Sequence, residues 1–239
     1  MPSPKLSLGL AVNVWNQDIT QASSYRRAES SSGMLALGSL QGRFARLFKE
    51  EFAVEDGYSV VLGGLYRLSK AWALGAVIKP PYTLDGELAF PTILGTGLAW
   101  RPADAFTASL DVTWTDWTQY QYHENGKDTN PLTGDPAAES EAADTVTGRL
   151  GAEYLLIRPR CLIPLRCGLG YDPAPGVDRT DDFYTASVGA GVQLGKRWNV
   201  DIAYEFRWGN QVNGATLRGI EATQNLRQHR VLASVILYF

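Results

Sequence analysis

The sequence predicts an all-β protein, an antiparallel transmembrane β-barrel of about ten strands. Three observations carry that expectation. Apolar and polar residues alternate with period two in segment after segment, tight connections alternate with long ones, and aromatic residues gather near both ends of the apolar face. The chain's 239 residues suffice for one large all-β domain, and a barrel of that size need not be divided, so 1–239 is read as a single domain. Hydrophobic residues make up 45% and charged residues 20%, which excludes wholesale disorder. A net charge of −3 with no basic stripe gives no sign of a nucleic-acid partner. No run approaches the ~18 apolar residues of a membrane helix, which excludes a helical span and leaves a strand-built one open.

The strands follow in order. Over 5–16, Leu6, Leu8, Leu10, Val12 and Val14 share one parity. Strands at 57–67, 72–82 and 90–101 carry Tyr58, Tyr66, Trp72 and Trp100 on the apolar face. Over 105–121, Phe106, Ala108, Leu110, Val112 and Trp114 oppose Thr107, Ser109, Asp111, Thr113 and Thr115. Over 144–157, Val146, Leu150, Ala152 and Tyr154 oppose Thr145, Thr147, Arg149 and Glu153. Strands at 162–171 and 182–194 interleave glycines with Tyr171 and Tyr184. Over 197–209, Val200, Ile202, Tyr204, Phe206 and Trp208 oppose Asn199, Asp201, Glu205 and Arg207. The last strand, 227–239, sets Val231, Ala233, Val235, Leu237 and Phe239 on one face. These lengths meet the ~9–11 residues of a tilted membrane strand.

"RLSKAW", "RPADAF", "IRPRCLI" and "LGKRWN" are tight turns, whereas "HENGKDTNPLTGDPAAESEAAD" and "GNQVNGATLRGIEATQNL" are long and polar. Short turns at one rim and long loops at the other are the pattern of bacterial outer-membrane barrels, with the short turns periplasmic. Putting the tight turns together brings Tyr66, Trp72, Trp100, Phe106, Tyr154, Trp198 and Phe239 to one rim. Tyr58, Trp114, Tyr171, Tyr184 and Trp208 fall at the other, and both sets lie on the apolar face. Two outward girdles fit the two lipid interfaces. The opposite face carries Asp111, Arg149, Glu153, Arg166, Asp201, Glu205, Arg207 and Arg230 among glycines. Such charges are tolerable inside a barrel when paired or wetted.

Six apolar residues take the lumen's parity and are the candidate ligand contacts: Trp15, Val61, Leu65, Val77, Trp117 and Phe183. A hydrophobic ligand needs such patches inside a polar barrel; packing against a plug is the alternative. Cys161 and Cys167, if the segment between them is extended at ~3.3 Å per residue, sit roughly 20 Å apart and cannot bridge. No metal spacing or phosphate-binding glycine loop stands out, and no metal or cofactor is called for. The acidic stretch 122–144 reads as a solvated loop, with calcium or lipopolysaccharide-linked cations as the alternative. His229 falls on the lipid face near the long-loop rim. Without a serine elbow or an acidic orienter beside it, it reads as a rim histidine rather than part of a hydrolase.

Several dispersed runs carry a family resemblance: "PTILGTGLAWRPADAFTASLDVTWTDWTQYQ", "GRLGAEYLLIRPRCLIPLRCGLGYDPAPGVD", "VGAGVQLGKRWNVDIAYEF" and "HRVLASVILYF". In order and spacing these resemble the carboxy-terminal half of the OmpP1/FadL/TodX outer-membrane transporters of long-chain fatty acids and hydrophobic compounds, over most of 57–239. The resemblance implies a fourteen-stranded barrel with an amino-terminal hatch. No signal peptide, hatch or counterpart of about the first four strands is visible in this sequence, so the expectation is a truncated form of that barrel. Closure of this chain would then pair its last strand with the one starting near Lys5.

Function follows from the resemblance as an expectation: passive passage of hydrophobic compounds such as long-chain fatty acids or hydrocarbons, with no enzymatic step. The alternative is a structural or secretion-linked outer-membrane barrel of the same family. The implied partners are hydrophobic small molecules, outer-membrane lipid and lipopolysaccharide, and the barrel-assembly machinery, whose signal commonly ends in Phe as this chain does.

Overall fold

The structure, a computed structural model, describes residues 5–15, 56–84, 86–124, 126–132, 135–140, 142–159, 161–175, 181–195, 197–213 and 223–237. The strands in chain order are β1 (Leu6–Trp15), β2 (Gly57–Arg67), β3 (Trp72–Lys79), β4 (Tyr82–Leu84), β5 (Leu88–Phe90), β6 (Ile93–Ala103) and β7 (Phe106–Thr115). After them come β8 (Gln121–Glu124), β9 (Lys127–Thr129), β10 (Thr145–Ile157), β11 (Cys161–Tyr171), β12 (Phe183–Leu194), β13 (Trp198–Asn213) and β14 (Thr223–Leu237). Ten of these are long and form one antiparallel meander, β1-β2-β3-β6-β7-β10-β11-β12-β13-β14. A ten-residue strand with a rise of about 3.4 Å, tilted by about 40°, climbs roughly 26 Å, the height of a membrane's apolar band.

The register places one parity of every strand on one face. One rung runs Trp114–Val146 and another Leu110–Leu150–Leu169–Ala186–Phe206–His229. This face is aliphatic and open: Leu8 is 80% exposed, Val231 67% and Leu169 60%. Among the described residues Ala142 alone is both hydrophobic and buried. A water-soluble fold does not invert its apolar surface in this way, whereas a wall facing acyl chains must.

Aromatic rings mark the two rims of the outward face. Trp72 stacks on Trp100 at 5.7 Å, and Trp100 meets Phe106 edge-on at 5.8 Å. At the other rim Tyr171, Tyr184 and Trp208 form a row with centroid separations of 5.4 and 5.8 Å. Phe239 lies outside the described residues.

Several predicted strand limits are corrected. The strand expected to reach residue 82 stops at Lys79, because Pro80 and Pro81 cannot donate to the ladder. Likewise β6 begins at Ile93, after Pro91. The strand expected over 105–121 ends at Thr115, where the Asp116 carboxylate accepts from the Thr118 amide at 3.2 Å and from Gln119 Nε2 at 2.6 Å. These bonds cap a 3-10 turn, Trp117–Gln119. At the same rim β13 runs on to Asn213 and β14 starts at Thr223, taking that hairpin past the girdle.

Among the described residues no ladder joins β1 to β14, so the sheet is open and the expected pairing of the last strand with the first is not formed. No helix among them is long and apolar enough to cross a membrane.

Candidate functional site

The concave face has two unlike halves. Over β10 to β14 it is a transverse network of charge. Arg166 Nε donates to Glu153 Oε2 and its Nη1 to Asp201 Oδ1, both at 2.7 Å, spanning β10, β11 and β13. Arg230 pairs with Glu205 at 3.4 Å and Arg207 with Asp172 at 3.5 Å. The Asp201 carboxylate lies over Gly191 of β12, in the space a side chain there would fill. Paired charges tolerate this partly wetted interior, as the alternation requires.

Over β1, β2, β3 and β6 the concave face carries almost no charge. Gly9, Gly63, Gly75, Gly95 and Gly97 remove side chains from adjacent strands and leave a trough of about 500 Å³. Leu65 and Val77 project into it, and Asp111 and Thr113 of β7 close its far side. Leu65 is 48% and Val77 41% exposed, so both retain apolar surface for a solute. At two of the glycines a neighbouring side chain would have to shift to admit a Cβ. A Cβ on Gly95 would meet Val77 Cγ1 at 2.7 Å, and one on Gly97 would run into the Asp111 carboxylate. A trough lined mainly by glycine backbone and by Leu65 and Val77, with Asp111 and Thr113 at its far side, can hold an apolar molecule.

At the long-loop end the same column of residues meets a rail of rings. Trp15 stacks on Tyr82 (5.5 Å, 3°), and Tyr82 on Phe90 (4.7 Å, 5°). Phe90 then meets Tyr120 at 5.7 Å, and Tyr120 meets Trp117 edge-on at 5.9 Å. Lys79 Nζ sits 4.3 Å from the Tyr82 centroid and donates to its hydroxyl at 3.2 Å. Burial, followed by the nearby Tyr82, pushes the Tyr120 phenol above its ordinary range.

The rail is positioned by β4 crossing close over Gly57, where a Cβ would lie 2.9 Å from the Thr83 carbonyl. Its other end is fixed by Trp117 Nε1 donating to Thr145 Oγ1 at 2.8 Å. The fully buried Asn130 supports it from behind, its Nδ2 donating to the Trp117 carbonyl at 3.0 Å.

The six predicted contacts therefore divide. Leu65 and Val77 line the trough. Val61 stands on the same face of β2, between the trough and the rail, separated from Trp15 by the hydrogen-bonded pair Asn13–Ser59 (3.3 Å). Trp15 and Trp117 are the two ends of the rail, Trp117 on the 3-10 turn rather than on a strand. Phe183 stands apart in the charged half, beneath the Arg207 guanidinium at 4.4 Å. Sequence reasoning missed the middle of the rail, Tyr82, Phe90 and Tyr120.

His229 lies on the outward face, its Nδ1 2.7 Å from the Tyr204 hydroxyl. Among the described residues no serine or carboxylate hydrogen-bonds to it, and no group of three or more His, Cys, Asp or Glu is placed to hold a metal. Cys161 and Cys167 are free. Within the acidic stretch β8 and β9 pair as a hairpin, in which His123 and Asp128 form an ion pair across the strands.

A family model described as outer membrane protein transport protein (OMPP1/FadL/TodX) matches residues 82–238. Among solved structures the chain resembles the CymD monoaromatic hydrocarbon channel, with TM-score 0.58 and 13% identity over 100% of this chain and 70% of that one. It also resembles a Pseudomonas aeruginosa FadL homologue, with TM-score 0.47 and 15% identity over 96% of this chain and 60% of that one. At these identities the likeness is one of fold. A search of curated proteins returns no match.

Proposed function

The chain belongs to the outer-membrane transport-protein family (OMPP1/FadL/TodX), and from that premise we propose that it is a passive channel for hydrophobic compounds such as long-chain fatty acids. The observation that carries this reading is the trough on the concave face, apolar in a wall whose other concave half is charged. In the proposed path a solute leaves water at the aromatic rail and slides into the trough past Val61, Leu65 and Val77. The gain per methylene transferred is about 0.8 kcal/mol, enough to draw in an alkyl chain without an energy source. The rail supplies flat apolar surface at the mouth, and the charged half keeps the rest of the lumen wetted.

Residues 1–239 act in this reading as a single barrel-wall domain, with no catalytic step and no cofactor. Its partners are hydrophobic small molecules, outer-membrane lipid with lipopolysaccharide, and the barrel-assembly machinery. The test is uptake of a labelled long-chain fatty acid into liposomes containing the protein. Uptake above that of protein-free liposomes supports the reading. Absence of uptake refutes it and favours a structural barrel of the same family.

A further inference from the structure

The outward face of this wall carries an arginine and a histidine side by side that the transport path does not use. Arg227 stands in register with Trp208, and His229 with Phe206, both on β14 and both exposed. Arg227 stands at the rim of the long loops, level with the Tyr171–Tyr184–Trp208 row that marks the outer lipid interface, and His229 one outward rung farther in. An arginine facing lipid costs about 2–4 kcal/mol at mid-membrane and about 0–1 near the interface, so this position is tolerable only at headgroup level.

No carboxylate shares the outward face of β13 or β14 among the described residues, and no ion pair engages Arg227. The His229 ring packs 4.9 Å from Phe206, and the Tyr204 hydroxyl sits 2.7 Å from its Nδ1. In the tautomer in which the phenol donates to Nδ1, the ring proton is on Nε2, a donor for an anion. Beside the pair, across β10 to β13, an apolar groove of about 590 Å³ crosses the outward surface, walled by Leu150, Leu169, Val188, Tyr204 and Phe206. Tyr204 and Phe206 thus belong to both features and join the groove to Arg227 and His229.

We propose that Arg227 and His229, backed by Tyr204 and Trp208, bind the phosphate of an outer-leaflet glycolipid whose acyl chain lies in the adjoining groove. A planar guanidinium takes two phosphate oxygens at once, and the imidazole N–H takes a third. The apolar groove distinguishes an amphiphile from a free anion, because only the amphiphile fills it. Exposed aliphatic residues farther down the same face, Val231 and Val235, continue the apolar track toward mid-membrane.

The test is native mass spectrometry of the full chain in detergent micelles, titrated with bis-phosphorylated lipid A, with its phosphate-free form, and with inorganic phosphate. The expected result is at least tenfold tighter retention of the phosphorylated lipid than of the phosphate-free form. Arg227→Ala with His229→Ala weakens that retention roughly tenfold to a hundredfold, the loss of one or two charge-assisted hydrogen bonds. Arg230→Ala, a matched charge loss on the concave face, leaves it unchanged, and heat-modified gel mobility verifies that each variant is folded. Equal retention of the two lipids, an unaltered double variant, an equal loss in Arg230→Ala, or displacement by equimolar inorganic phosphate would each overturn the proposal. None of these outcomes depends on whether the trough conducts.

Discussion

Filling the trough without disturbing the wall separates the proposed path from the general properties of a barrel. Gly75 is the position for it. A Cβ there would meet Gly64 O, Gly97 O and Leu65 Cδ1 all at 3.9 Å, ordinary van der Waals contact. Gly75→Leu therefore keeps the ladders to Leu65 and Gly97 and sends its side-chain carbons into the cavity of about 500 Å³. A solute excluded from the volume of three or four carbons loses about 3 kcal/mol at about 0.8 kcal/mol each, roughly a hundredfold in affinity. Stability should not fall, since a glycine in a strand interior is already about 0.5–1 kcal/mol worse than alanine.

The assay is uptake of a labelled long-chain fatty acid by proteoliposomes. Ala233→Leu, an outward substitution in register with Ile202, serves as the control for added bulk. Loss of uptake in Gly75→Leu with uptake intact in Ala233→Leu is the expected pair of results. Unchanged uptake in Gly75→Leu, or equal loss in both, refutes the trough as the path.

Three further outcomes follow from the geometry. Tyr82→Ala removes two ring stacks and the Lys79 contact; at about 0.5–1.5 kcal/mol per stack, hydrogen exchange in β4 and β5 should speed by roughly one decade or more, while that of β10 to β13 stays unchanged. Arg166→Met leaves Glu153 and Asp201 without their shared partner. Because Arg166 is 47% exposed, screening holds each pair to about 0.5–1 kcal/mol, and the urea midpoint should fall modestly. At the outer rim, burial and then the neighbouring Asp116 raise the Asp144 carboxyl above the ordinary aspartate range. The folded protein then takes up that proton at higher pH than the unfolded chain, so stability rises as pH falls through the raised value and levels off below the ordinary range. Proteolysis of the 116–145 region should slow on acidification, and Asp144→Asn should remove that dependence.

Period-two alternation was enough to place all ten long strands and to separate the two faces. Every membrane strand must put one parity in lipid and the other in water, so Arg149, Glu153 and Arg166 could be assigned to the interior from sequence alone. The rail was not legible in the same way, because its central rings stand on three-residue strands and on a turn, too short to show a period. The signals present were of another kind. The Asp-Gly of "LDGEL" and the Asn-Gly of "ENGKD" are hairpin-turn sequences, and both Gly86 and Gly126 adopt φ of 72°. Those turns bring Tyr82 onto Phe90 and pair Tyr122 with Thr129. The difference between Leu65 and Phe183 was also hidden. Both have the interior parity, but only the register across four strands shows that Phe183 faces Arg207 rather than the trough.

The account stands or falls on which face of the wall a hydrophobic solute touches. Photo-crosslinking in proteoliposomes with a diazirine-bearing long-chain fatty acid, followed by peptide mapping, reads this directly. Label on Leu65, Val77 and Tyr82, displaced by excess unlabelled fatty acid, is the predicted result. Label confined to outward residues such as Leu8, Val188 and Val231, unaffected by competitor, would contradict an inner path.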